Sequence, residues 1–129
     1  MEIQTINKID TRNKEPKDVA LELANQSAAP QEDLALASTG YNVSLTNDGG
    51  YFMLQWSVSG PIGSYDWVGL FVNQFVPDSD YIGSNWQWAQ YGSSYKTSTA
   101  VQAGYQARYL VWDAKTAKYV SVARTAVSS

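Results

Sequence analysis

Two short stretches carry the residue types from which a site could be built. Asp78-Ser79-Asp80 sets two carboxylates two residues apart. Hard cations take clustered oxygen ligands, and calcium takes about six to eight of them. Asp78 and Asp80 are too few alone. A calcium site would need Asp66, Asp48, Asn47 or backbone carbonyls to converge on them, so a solvated turn is the simpler expectation and calcium is allowed for but not required. The pair fits glycoside hydrolysis poorly, since that chemistry needs carboxylates roughly 5–10 Å apart across a sugar and no Glu follows Glu32. The richer stretch is Asn85-Trp86-Gln87-Trp88-Ala89-Gln90-Tyr91, which mixes flat aromatics with amides. Aromatic faces stack on sugar rings or bases, and amides bond hydroxyls in both directions. The competing reading places Trp86 and Trp88 in a core. Asp66-Trp67 is a third chemically rich pair, read more simply as an acid accepting backbone hydrogen bonds at a loop end beside a Trp that covers a sheet.

Composition removes most other chemistry. The 129 residues suffice for one domain and contain neither Cys nor His. Disulfides, thiolate nucleophiles, Ser-His-Asp triads and Cys/His zinc sites are thereby excluded. The net charge of −3 argues against nucleic acid, which calls for a basic footprint; Lys115, Lys118 and Arg124 read as a solvated basic edge. Met1–Lys8 lacks a basic segment followed by an apolar run, so no signal peptide is expected. No apolar run approaches the length of a membrane-spanning helix. The compartment stays open.

The elements that must position these residues divide at residue 40. Residues 1–40 hold no aromatic and carry seven acids against four bases, whereas all 17 aromatics lie in residues 41–129, where five acids balance five bases. Residues 1–18 read as an extended arm. Residues 19–37 are ambiguous: Val19, Leu21 and Leu23 alternate like a strand, as do Leu34 and Leu36, while Pro16, Pro30 and the acids after each are helix-start signals. From Tyr41 the pattern is β. Alternation predicts strands over 41–46 and 51–58, joined by a hairpin turn at Asn47-Asp48-Gly49-Gly50. A strand apolar on both faces starts at Trp67 and runs to about Val76, which calls for a layer on each side of it. Within it Gly69 marks a bulge or a close approach. Further strands are expected at 84–91, 95–101 (an exposed edge), 105–112 and 118–125.

Seven short strands without an intervening helix make the fold class all-β: a seven-stranded immunoglobulin- or fibronectin III-like β-sandwich over 41–129 with an N-terminal arm over 1–40. Val101–Tyr109 resembles the entry to the penultimate strand of those families, which implies a tyrosine-corner hydroxyl for Tyr105. Tyr65-Asp-Trp-Val-Gly-Leu-Phe71, with Arg108-Tyr-Leu-Val-Trp-Asp113, is similar to segments of SKICH domains and of purple acid phosphatase N-terminal domains. The resemblance spans 41–125 and implies a recruitment or non-catalytic module. A core of this size is usually built around one Trp, so several of the five Trp and nine Tyr are expected at the surface, where aromatic clusters mark binding faces. The leading expectation is non-enzymatic, lectin-like carbohydrate recognition through Trp86, Trp88, Asn85, Gln87, Gln90, Tyr81 and Tyr91. The alternative is a protein-interaction or self-assembly module in which residues 1–40 drive association. The third is a membrane-active protein whose arm inserts while aromatics dock at headgroups.

Overall fold

The computed structural model of the chain describes residues 11–12, 14–25, 40–113 and 115–126. Strands dominate. β1 (Gly40–Asp48), β2 (Tyr51–Ser59) and β5 (Ser94–Ala100) form one antiparallel sheet in the order β1-β2-β5. β3 (Trp67–Phe71), β4 (Trp86–Trp88), β6 (Gln106–Asp113) and β7 (Lys118–Ala126) form a second, in the order β4-β3-β6-β7. Leu45, Phe52, Leu54 and Trp56 of the first sheet meet Val68, Leu70, Ala107, Tyr109 and Val111 of the second in one apolar core. The β1–β2 hairpin forms at the expected turn. Asp48 pairs with Tyr51, and Gly49 and Gly50 both take positive φ, 66° and 95°. A two-residue turn that follows strand twist needs this conformation at both positions, and only glycine adopts it without strain. Asn47 Oδ1 accepts the Gly50 N–H at 2.8 Å.

Both faces of β3 are buried, as its sequence requires. Val68 and Leu70 point into the core between the sheets. Trp67 and Phe71 point outward into a second cluster with Trp88 and Leu110. The layer over that outer face is a helix, α1 (Pro16–Asn25), which contributes Val19 and Leu23. These lie four residues apart and so share one helix face. Pro16 opens the helix with its φ pre-set. The Glu15 carbonyl accepts the N–H groups of Asp18 and Val19 at 3.0 and 3.1 Å, and the Asp18 carboxylate accepts the Glu15 N–H at 3.3 Å, an acid placed where the helix dipole favours it. Trp88 Nε1 donates to the Thr11 carbonyl at 3.0 Å, tying down the approach to the helix.

The open choice between helix and strand thus falls to helix over 19–25, the helix also takes residues 16–18 from the expected extended arm, and the described residues between 11 and 25 pack onto the sheet. The alternation at Leu34 and Leu36 lies outside the described residues, as do residues 1–10. Two strands end earlier than the apolar pattern implied. β3 stops at Phe71 because Asn73 Oδ1 takes the N–H groups of Phe75 and Val76 and turns the chain. β4 spans three residues, then passes into a 3-10 turn over Ala89–Tyr91. β5 is an edge strand, as expected. At Gly69 the pairing is regular on both sides. A Cβ there would lie 2.5 Å from Trp67 Cζ3 and 3.4 Å from Phe71 Cε1, so Gly69 is the space that the Trp67 ring occupies.

If α1 is a structural layer, its two faces will respond differently to truncation. Leu23→Ala empties a buried site and should cost about 2–4 kcal/mol, whereas Leu21→Ala, at a position 66% exposed, should stay within about 0.5 kcal/mol. Urea unfolding of both variants checks this; equal, small effects would mean that α1 does not seal the sheet.

Candidate functional site

The residues singled out on the 85–91 stretch separate once folded. Trp88 is buried under Thr11 and α1, and its N–H is used. Asn85 is buried as well. Its Nδ2 donates to the Ile82 carbonyl at 3.2 Å, and its Oδ1 accepts from Ser98 N–H (2.8 Å), Ser98 Oγ (3.3 Å) and Thr99 Oγ1 (3.1 Å). It therefore clips the edge of one sheet to the edge of the other. Both residues are fully engaged within the chain, so neither offers a free face or a free polar group. The alternation rightly set Trp86 and Trp88 on one face, but that face is the one α1 covers. Trp86 is half-buried, packed edge-to-face on Trp88 at 5.2 Å and on Tyr81 at 6.4 Å. Gln87 is half-buried and accepts the Trp88 N–H through Oε1. Gln90 is exposed, with Nε2 donating to the Ser64 carbonyl at 3.1 Å. Tyr91 is 48% exposed, its hydroxyl 2.8 Å from Thr11 Oγ1.

Asp78 and Asp80 stand in different surroundings. The Asp78 carboxylate is taken by two guanidinium groups, Arg108 Nη1 at 2.9 Å and Arg124 Nη2 at 3.7 Å, and Asp80 is exposed. Among the described residues no group of three or more His, Cys, Asp or Glu could hold a metal. Arg108 itself is fully buried. It also donates to Gln106 Oε1 at 2.7 Å and to the Asn73 carbonyl at 3.2 Å, and it lies 4.2 Å over the Phe71 ring. Burial first, then the neighbouring Arg124 charge, pulls its pKa down. Tyr105 stacks on Phe52 at 5.3 Å.

Sequence reasoning missed the concavity that the third layer creates. A cavity of about 750 Å³ opens between the flank of α1, the outer face of β3 at Trp67, the 77–81 loop and the start of β7. Trp67 meets Tyr81 at 5.0 Å and Tyr119 at 5.8 Å, both edge-to-face, and all three line it. Tyr81, chosen for stacking, is the one ligand candidate on this wall. Its hydroxyl donates to Glu15 Oε1 at 2.9 Å, and burial first, then that hydrogen bond, raises its pKa. The Tyr119 hydroxyl donates to the Tyr65 carbonyl at 2.8 Å, and burial raises its pKa too. The signal for this wall was present in the sequence: a strand apolar on both faces implied an outer layer, and outer layers leave grooves.

Asp66 serves the fold. Its Oδ2 accepts the Gly63 N–H and the Tyr109 hydroxyl, each at 2.9 Å, and its carbonyl accepts the Ala89 N–H at 2.9 Å. Burial raises its pKa from 3.8 to about 6, against the opposing effect of those two donors. The folded state therefore holds this proton more tightly than the unfolded state does. Its contribution to stability is fully present below about pH 4 and is lost as pH rises through about 6, by at most about 3 kcal/mol. Because both hydrogen bonds land on one oxygen, Asp66→Asn can keep them while removing the titration. The difference in unfolding free energy between Asp66→Asn and wild type should grow in favour of the variant from pH 4 to pH 7; a difference independent of pH in that window would refute the assignment.

No known protein-family model and no curated protein matches this chain.

Proposed function

We propose that the chain is a non-enzymatic recognition module on an immunoglobulin- or fibronectin III-like β-sandwich, and that it binds a protein partner through the turn after β3. The topological part of this reading is supported by the way consecutive strands change sheets, between β2 and β3, between β4 and β5 and between β5 and β6, as Greek-key sandwiches do. The observation that carries the function is Phe75. It is 83% exposed, yet the turn beneath it is tied at four points. Asn73 Oδ1 holds the N–H groups of Phe75 and Val76 at 2.8 and 3.1 Å. Arg108 and Arg124 hold the carbonyls of Asn73 and Gln74 at 3.2 and 3.4 Å. An isolated exposed apolar side chain is ordinary. One displayed on a pre-set turn, with Val72 also exposed beside it, loses little conformational freedom on docking and has the form of an interface anchor.

Carbohydrate recognition is the second reading, favoured by the outer edge of β4 and the turn that follows. There the Trp86 ring, Gln87, Gln90 and Tyr91 remain at least partly exposed, without Trp88 and Asn85. Insertion of the arm into a membrane is less favoured, because Val19 and Leu23, the apolar face of α1, are buried on the sheet, and no described helix is long and apolar enough to cross a membrane.

Phe75→Ser separates display from structure. Stability should stay within about 0.5 kcal/mol of wild type, as for an exposed site. Peptides selected from a random display library on the wild-type protein should lose at least about tenfold in affinity for the variant, the loss typical of an anchor. Failure to recover any Phe75-dependent binder, with sedimentation showing a monomer for both proteins, would remove the protein-partner reading. A glycan array probed with wild type, Trp86→Ala and Tyr91→Ala then decides the second: sugar binding abolished by either substitution would establish it.

A further inference from the structure

We propose that the cavity beside α1 receives Phe75 of a second copy of this chain, so that two molecules join across a two-fold axis with each Phe75 in the other's cavity. The inference rests on the reading of the Phe75 turn as a protein-binding anchor and names its partner. Knob and hole adjoin on one molecule. Pro77 and Asp78, just past Phe75, line the cavity, and so does Arg124, whose Nη1 donates to the Gln74 carbonyl at 3.4 Å. A surface that carries both halves of a contact is self-complementary. A two-fold arrangement uses both halves twice and closes.

The hole suits an apolar knob. Ala20, Leu21, Ala24, Tyr81, Tyr119 and Val120 stand on its wall. The hydroxyls of both tyrosines are already bonded within the chain, to Glu15 Oε1 and to the Tyr65 carbonyl, so these side chains offer a visitor carbon. About 750 Å³ lies within the range of roughly 300–1,000 Å³ that accepts whole small molecules, and it takes a phenyl ring with part of the turn that carries it. Among the described residues Phe75 and Leu21 are the two most exposed large apolar side chains, at 83% and 66%. One is the knob and the other stands on the wall of the hole, so a single contact removes both from water, which is what drives association of apolar surface.

Charge points to a second copy rather than to an unrelated apolar partner. Asp80 and Lys118 are both exposed, and neither side chain has an ion-pair partner among the described residues. Asp80 lies on the side of the knob, in a turn fixed by its own N–H, which donates to the Pro77 carbonyl at 3.0 Å. Lys118 lies on the lining of the hole. Asp113, its cross-strand partner, is turned to the Lys115 N–H and the Thr116 hydroxyl. The other charges on the lining offset one another, Asp78 against Arg124 at 3.7 Å and Lys17 against Asp18, so two copies of this face meet without like-charge repulsion. In a two-fold contact each residue meets its counterpart reciprocally. The docking that seats Phe75 therefore sets Asp80 against the second copy's Lys118, and does so twice.

Sedimentation of the full chain between about 1 µM and about 1 mM, the span of weak to moderate affinities, reads the contact. Wild type is expected to pass from monomer to dimer in this range. Phe75→Ser should weaken the dimer at least about tenfold, the loss typical of an anchor. Ala24→Phe, which fills the hole from the exposed flank of α1, should do the same. The charges give a test that misfolding cannot imitate. Asp80→Lys and Lys118→Glu should each be monomeric alone, because each sets like charges together in both halves of the contact. An equimolar mixture of the two variants pairs opposite charges in both halves and should dimerise. The proposal is overturned if wild type stays monomeric throughout; Phe75-dependent peptides recovered on that same monomer would leave the reading of the turn standing without it. It is equally overturned if the dimer survives Phe75→Ser or Ala24→Phe, if the mixture stays monomeric, or if species larger than a dimer form, since those need a head-to-tail contact that does not close.

Discussion

Everything in this chain answers to one constraint: the strand Trp67–Phe71 must be dry on both faces. A Trp side chain buries about 150–250 Å². At about 25 cal/mol per Å², leaving Trp67 in water would cost about 4–6 kcal/mol, comparable to the whole stability of a small domain. Two sheets cover only the face that carries Val68 and Leu70. The other face needs a third layer, and the aromatic-free first part of the chain supplies it as α1. This division of labour explains the asymmetry of composition. Of the five Trp residues, Trp56 lies in the core between the sheets, and Trp67, Trp86, Trp88 and Trp112 belong to the outer cluster. The floor is aromatic, and the lid that meets it is aliphatic, through Val19 and Leu23.

The buried polar groups are arranged to hold the edges of these layers. Asn85 joins β4 to β5 across the open side of the two sheets. Asp66 ties the loop before β3 to Tyr109 in β6, so the loop enters the core with its carboxylate matched. Arg108 is the costliest of the three, a guanidinium with no exposed surface. A buried charge is tolerated only when its donors are satisfied, and here Gln106, Asp78 and Asn73 satisfy them. Two of these three partners lie in the 73–78 segment. The turn that presents Phe75 is therefore anchored from inside the sheet, and its geometry rests on an ion pair in the outer layer together with the bonds that Asn73 makes within the turn.

Period-two alternation made β1, β2 and the edge strand β5 legible, because each has one wet and one dry face. The β1–β2 turn was legible because Gly49 and Gly50 meet a backbone requirement that is local. The burial of both faces of β3 was legible for the same reason. What covers its outer face was not. Val19, Leu21 and Leu23 fit a strand as well as a helix, and only the docking of Val19 and Leu23 on one face separates the two. The aromatic surplus misled for a related reason. A two-layer sandwich has room for few indoles, so Trp88 was expected at the surface; a third layer adds a second buried cluster and takes it in. The ends of β3 and β4 were hidden because local backbone turns set them, one held by the Asn73 side chain and the other a passage to a 3-10 turn, and not the hydrophobic pattern.

The same layering accounts for where empty space remains. A helix seals a sheet when large residues on its facing stripe interlock with those beneath. On α1 that stripe is narrow: Val19 and Leu23 are buried, whereas their neighbours on the next row, Ala20 and Ala24, are small and line the cavity. Opposite them stand Trp67, Tyr81 and Tyr119, whose edge-to-face contacts prop the rings apart rather than letting them collapse. Small residues on the lid and stiff rings on the floor cannot close on each other. The void is thus a consequence of joining an alanine-rich helix to an aromatic sheet, and it falls beside a lysine-bearing rim because the exposed flank of α1 and the start of β7 are where the chain places Lys17 and Lys118. A tighter lid would need only a larger residue at position 20 or 24, a change that helix propensity permits at small cost.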